Sequence, residues 1–243
     1  MERKKFLRSL MIGAFSAPII IDACSKVEGT TDTATTSGTP GTGASGSASG
    51  CNLAPTETEG PFPTKVPASY VRPDITNGRT GYALSIKITI GNSNSNCAAI
   101  SGAIVDIWHC DAEGNYSEYG GSGMQSTDYQ SLHFLRGRQT TDANGLVTFT
   151  SIFPGWYSGR ATHIHVHVYN ASGTSLKVTQ IAFPEVTGSA VLAVNGYAKG
   201  MTGYTYNAKD NVFSDDTAGI EVATVTGSTT AGFALTMNIS VPA

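Results

Sequence analysis

An all-β chain folded as a single antiparallel β-sandwich with little helix is what this 243-residue sequence predicts. Three observations carry that expectation. Two segments alternate apolar and polar residues with a period of two, short β-rich runs between them are punctuated by Gly- and Asn-rich turns, and helical periodicity is nearly absent. Only 14% of the residues are charged, against roughly 25% in an average globular chain, and 28 are glycine. Such a composition excludes coiled coils, long amphipathic bundles and basic nucleic-acid arms, all of which need dense charge. The formal net charge is −3. Residues 1–24 hold four Lys/Arg and two Asp/Glu, which leaves 11 basic against 16 acidic residues beyond them, a net −5. A phosphate-backbone binder needs the opposite sign, so nucleic acid is not an expected partner.

The first segment, 1–24, reads as an export signal. Arg3, Lys4, Lys5 and Arg8 precede a short apolar stretch from Phe6 to Ile21, too short and poorly flanked for a membrane span. Arg3–Arg8 resembles a twin-arginine signal with Lys in the second place, which leaves the export route open. Ile21-Asp22-Ala23-Cys24 resembles a bacterial lipobox in which Cys24 becomes the lipidated first residue, although Asp22 departs from the pattern. The alternative is an exported chain cut near Ala23 without lipid. On either reading the protein is periplasmic, surface-bound or secreted, and any lipid anchor is its one link to a membrane. In 25–50, 22 of 26 residues are Ser, Thr, Gly, Ala or Pro, a linker with almost no apolar surface to bury. The folded domain is expected over 51–243.

Within that domain, Tyr82, Leu84, Ile86, Ile88 and Ile90 alternate with smaller or polar neighbours, as do Phe233, Leu235, Met237, Ile239 and Val241. Ala103–Trp108, Leu146–Thr150, Thr162–Tyr169 and Lys177–Phe183 are shorter strand candidates, and Ala190–Lys199 is the one candidate helix. Cys51, Cys97 and Cys110 permit one disulfide with one thiol left over, and the sequence does not choose the pair. No CxxC suggests a zinc knuckle.

The chemistry concentrates in Pro154–His167. On a strand, His163, His165 and His167 project from one face while Ile164, Val166 and Val168 face the other way. Two imidazoles at i, i+2 can share a metal ion of several kinds, so the remaining donors decide which. Tyr157 lies six residues before His163, and Tyr116 follows a turn at Ala112–Asn115. A phenol with a free pKa of about 10 is readily deprotonated only by a strongly Lewis-acidic ion such as Fe(III).

These residues carry a family resemblance. Thr58-Glu59-Gly60-Pro61-Phe62, Val105–Ala112, Gly114-Asn115-Tyr116-Ser117, Phe134-Leu135-Arg136-Gly137 and Pro154–His165 resemble, in order, the intradiol ring-cleavage dioxygenases. The likeness runs over roughly 51–185 and is nearest to exported, protocatechuate 3,4-dioxygenase-like members. It implies a β-sandwich holding one non-haem Fe(III) per chain through Tyr116, Tyr157, His163 and His165. It further implies that a catechol-type ring and O2 are the substrates, and that the product is a cis,cis-muconate-type dicarboxylate. By position, Tyr157 matches the tyrosine that leaves the metal and acts as base, Arg160 the arginine beside the substrate, and Gln180 a glutamine near the metal shell. His109, His133, Asp215 and Asp216 are read as structural or solvated. Only five residues separate Tyr157 from His163, fewer than in the catabolic enzymes, which predicts a reshaped, more open pocket mouth. Two other readings remain: an exported β-sandwich binding module with a lost or structural metal site, and a zinc site on His163, His165 and His167.

Overall fold

The structure, a computed structural model, describes residues 51–243. The expected signal peptide, Cys24 anchor and linker lie outside the described residues. Two sheets enclose one apolar core. The first contains β1 (Ala83–Asn92), β2 (Ala98–Ala99), β5 (Leu146–Ile152), β8 (Thr224–Ser228) and β9 (Gly232–Val241). The second contains β3 (Ile104–Trp108), β4 (Arg136–Thr140), β6 (His163–Tyr169) and β7 (Ser175–Ala182), in the order β4-β3-β6-β7. All pairs are antiparallel but one: β1 and β9 run parallel, from Leu84 opposite Phe233 to Asn92 opposite Val241. The two cleanest alternating segments are thus central neighbours, a departure from the fully antiparallel expectation.

Alternation explains why they pack this way. Leu84, Ile86, Ile88 and Ile90 from β1 and Phe233, Leu235 and Ile239 from β9 turn inward. They meet Val105 and Ile107 of β3 and Ile164, Val166 and Val168 of β6. Each such side chain removed from water contributes on the order of 2 kcal/mol. Three strands escaped the sequence reading, the two-residue β2 among them. β4, Arg-Gly-Arg-Gln-Thr, has no apolar alternation, and β8, Thr-Val-Thr-Gly-Ser, is a largely exposed edge. The expected helix shrinks to α1 (Ala190–Val194): Asn195 and Gly196 adopt left-handed φ and end it, before a single 3-10 turn at Tyr197–Lys199. Cys51 and Cys97 form the disulfide, and Cys110 is the buried thiol left over. Among the described residues, no helix is long and apolar enough to cross a membrane.

Candidate metal centre and cleft

β6 places the histidines. Its even-numbered residues fill the core, so His163 and His165 face outward from the sandwich, yet both are buried. The loops carrying Gly60, Tyr116, Tyr157 and Phe213 cover them. Cross-strand register sets the neighbours: Trp108 of β3 sits opposite His165 and stacks on its ring at 4.9 Å and 3°, while Gln180 of β7 sits opposite on the other side. Gly60, at φ +68°, lies so close that a Cβ there would stand 2.9 Å from His165 Cε1. Gly114, at φ +91°, lets the Tyr116 turn press on the Tyr157 loop, since a Cβ there would meet the Trp156 carbonyl oxygen at 2.1 Å.

The polar atoms converge. His163 Nδ1 lies 2.6 Å from the Ala161 carbonyl, which fixes the proton on Nδ1 and leaves Nε2 as a bare donor. That Nε2 is 3.1 Å from His165 Nε2 and 3.4 Å from the Tyr116 hydroxyl. Burial, helped by the nearby Arg160 cation, pushes His163 down to about 3 and His165 well below its ordinary value, so both imidazoles are neutral. Burial raises the Tyr116 and Tyr157 phenols, with Arg160 opposing it in both. Tyr116 is fully buried, stacked on Phe62, and its backbone N–H and C=O are both bonded by the Gln125 amide. Tyr157 is half-buried at the wall of a cleft of about 450 Å³ lined also by Thr58, Pro61, Met124, Arg160 and Asn211.

Arg160 is held on three sides. Its Nε donates to Asp210 at 2.9 Å and its Nη2 to Gln180 Oε1 at 2.6 Å, while Nη1 lies 3.4 Å from the Tyr157 hydroxyl and 3.5 Å from His163 Nε2. Gln180 is anchored in turn by donating to the Thr58 carbonyl at 2.9 Å. Asp210 also accepts from the backbone N–H of Ala161 and Val212, and these bonds hold its carboxyl below the usual range against burial. Every candidate residue named from sequence (Tyr116, Tyr157, Arg160, His163, His165 and Gln180) therefore lies in one constellation. Asp210 and Gln125 were missed: each works through partners that are remote in sequence or backbone, and no local pattern marks them.

His167 stands apart. Its Nδ1 lies 3.0 Å from Glu59 and its Nε2 2.8 Å from Ser175, so the three-histidine zinc arrangement lacks its third donor. His109 bridges the Cys110 carbonyl and the Ser151 hydroxyl, His133 pairs with Glu118, and Asp216 caps the backbone of Ile220 and Glu221, as structural residues do. Among the described residues, no group of three or more His, Cys, Asp or Glu side chains gathers as a metal site. A metal at this centre would therefore have to use phenols beside the two imidazoles. The donor set fits a hard, highly charged ion: two neutral imidazoles whose Nε2 atoms converge and one phenol that bonds only to one of them, all buried.

Comparison with known proteins agrees with this architecture. A family model described as "Dioxygenase" (Dioxygenase_C) matches residues 79–192. A chlorocatechol 1,2-dioxygenase of Rhodococcus opacus is 29% identical over 143 residues, which is 51% of this chain and 51% of that protein. The match thus spans about half the length of that curated relative. An intradiol ring-cleavage dioxygenase from Tetranychus urticae superposes with a TM-score of 0.67 at 29% identity, covering 79% of this chain and 95% of that one. The dioxygenase domain of a carbohydrate-binding fusion from Streptomyces sp. SirexAA-E shares the fold, with a TM-score of 0.54, 22% identity, and coverage of 79% and 99%. The two-sheet sandwich with little helix matches the fold of these dioxygenases. These similarities, the family model over residues 79–192 among them, support the intradiol ring-cleavage dioxygenase family for this chain.

Proposed function

We propose that this protein is an exported, non-haem Fe(III) dioxygenase that cleaves a catechol-type ring between its two hydroxyls to a cis,cis-muconate-type dicarboxylate. The observation that carries this reading is the meeting of two imidazole Nε2 atoms 3.1 Å apart with a buried phenol at 3.4 Å, beside a cleft whose wall is a second tyrosine. Tyr116, Tyr157, His163 and His165 would hold the ion. A ferric ion supplies, when bound, a Lewis-acidic centre that takes a catecholate and makes its ring reactive toward O2.

The chain's own residues do the rest. Tyr157, half-buried on the cleft wall, would accept a substrate hydroxyl proton on its oxygen once a bound ferric ion had stabilised it as the phenolate. Tyr116, packed under Phe62 and clamped by Gln125, stays where it is. Arg160 directs Nη1 between Tyr157 and His163, so its charge is at hand where negative charge builds on the ring. Asp210 and Gln180 fix that guanidinium in advance, which removes reorganisation from the reaction. Trp108, Phe62 and Tyr116 exclude water from the donor side. The Cys51–Cys97 disulfide supports the exported reading, because such bonds persist in oxidising compartments.

Metal analysis and a visible spectrum of the full chain test this function. About one iron per chain, a red-brown phenolate-to-iron band that shifts with catechol, and O2 uptake on mixing are expected. Tyr157→Phe should weaken the band and cut turnover by at least about a hundredfold, with little change in melting temperature. A colourless zinc protein, or no iron uptake, would sink the dioxygenase reading in favour of a binding module.

A further inference from the structure

The cleft has a charge composition of its own. Among the described residues it is lined by Thr58, Gly60, Pro61, Met124, Tyr157, Ser158, Gly159, Arg160 and Asn211, so Arg160 is its one charged side chain. That cation is already paired on its outer side: Asp210, itself fully buried, accepts from Nε at 2.9 Å, and Gln180 occupies Nη2. Its remaining nitrogen faces Tyr157 and His163 rather than the outer cleft. The neighbouring cations are likewise engaged, Lys65 on the Glu118 carbonyl and Arg136 on Ser117 and Phe62. Carboxylates stand just behind the lining. Glu57 precedes Thr58, lies within the field of Asp215, Arg160 and Asp210, and is half-buried. The rim instead offers Pro61 and the exposed thioether of Met124, which suit an apolar substituent.

We propose that the cleft selects catechols whose ring substituents are uncharged and discriminates against ring carboxylates. This rests on the dioxygenase reading above and goes further, because that reading places no limit on the substituent. A carboxylate entering the cleft finds no free cation to replace its water and must approach Glu57, next to the lining residue Thr58. An uncharged substituent of the same shape meets neither cost.

The test compares 3,4-dihydroxybenzoate with its methyl ester on the iron-loaded full-length chain, with catechol as control. Anaerobic calorimetric titration reads binding, and O2 uptake reads kcat/KM. The ester should bind at least about tenfold tighter than the acid, and kcat/KM should follow. Raising the salt concentration should narrow the gap, since screening weakens the repulsion of the acid. Asn211→Lys, which adds a cation to the lining, should narrow the ester-to-acid ratio by about tenfold. Glu57→Gln, which removes charge without adding bulk, should move it the same way by a smaller factor. Equal binding of acid and ester, or tighter binding of the acid, overturns the selectivity while catechol turnover leaves the dioxygenase reading standing. Failure of catechol itself to bind or turn over overturns both.

Discussion

The two sheets share a core but use their outer faces differently. In β1 over Ala83–Lys87 and in β9 over Ala234–Asn238 every second residue is exposed, so alternation there ends in water. In β6 both faces are buried over His163–Val166, because loops lie where solvent would be. A strand's outer face is therefore the part of a sandwich that can be given to chemistry without disturbing the core. The requirement is that every polar group buried there finds a partner. His163, Gln180, Arg160 and Asp210 do; His165 Nδ1 and Trp108 Nε1 have none in the protein.

The largest way to break this comparison is from inside. Phe149 of β5 is fully buried in the shared core, and Phe149→Ala should cost about 3–5 kcal/mol. Thr236→Ala on the exposed face of β9 should stay within about 0.5 kcal/mol. Chemical denaturation of the pair reads both, and similar losses would mean the outer face of β9 is not free. Next in size is the covered side. Asp210→Ala strands the buried Arg160 cation and should destabilise by about 3 kcal/mol. Removing both partners (Asp210→Leu with Arg160→Leu) should cost clearly less than the sum of the single changes. Strict additivity would show that the pair does not act as a unit.

Acid sensitivity comes last, because it nears the size of the Asp210→Ala loss only at the acid extreme. Burial pushes His109 down to about 4, whereas the unfolded chain takes up the proton near its ordinary 6.5. A folded value below the unfolded one means that stability is complete above about pH 6.5. It drains away as the pH falls toward 4, by up to about 3 kcal/mol. His109→Gln should flatten that acid limb in urea melts taken from pH 7 to 4. An unchanged slope would assign the acid sensitivity to other groups, such as His163.

Much of this was legible beforehand for a physical reason. Period-two alternation reports a strand that is wet on one face, which is why β1 and β9 were plain. The His-x-His strand and the two tyrosine turns were legible because each lies within a few residues of its neighbours. β4 was not, since Arg136 and Arg138 make polar bonds to Ser117, Phe62 and Asp106 instead of filling a core. The role of Asp210 was hidden as well: its partner Arg160 is fifty residues away, and only the fold brings them together. The disulfide pair could not be chosen for the same reason.

The parallel pairing of β1 with β9 has a temporal side. Leu84 meets Phe233 in a central position, and the whole second sheet is encoded between them. During synthesis, then, the long apolar edge of β1 waits without its neighbour while nearly every other strand emerges. Until β9 arrives, that edge is a template for any extended chain nearby, including another copy of the same protein. A nascent chain of this design gains from holding factors that shield β1, and a ribosome that stalls before Gly232 would release a sticky half-sheet instead of a quiet fragment.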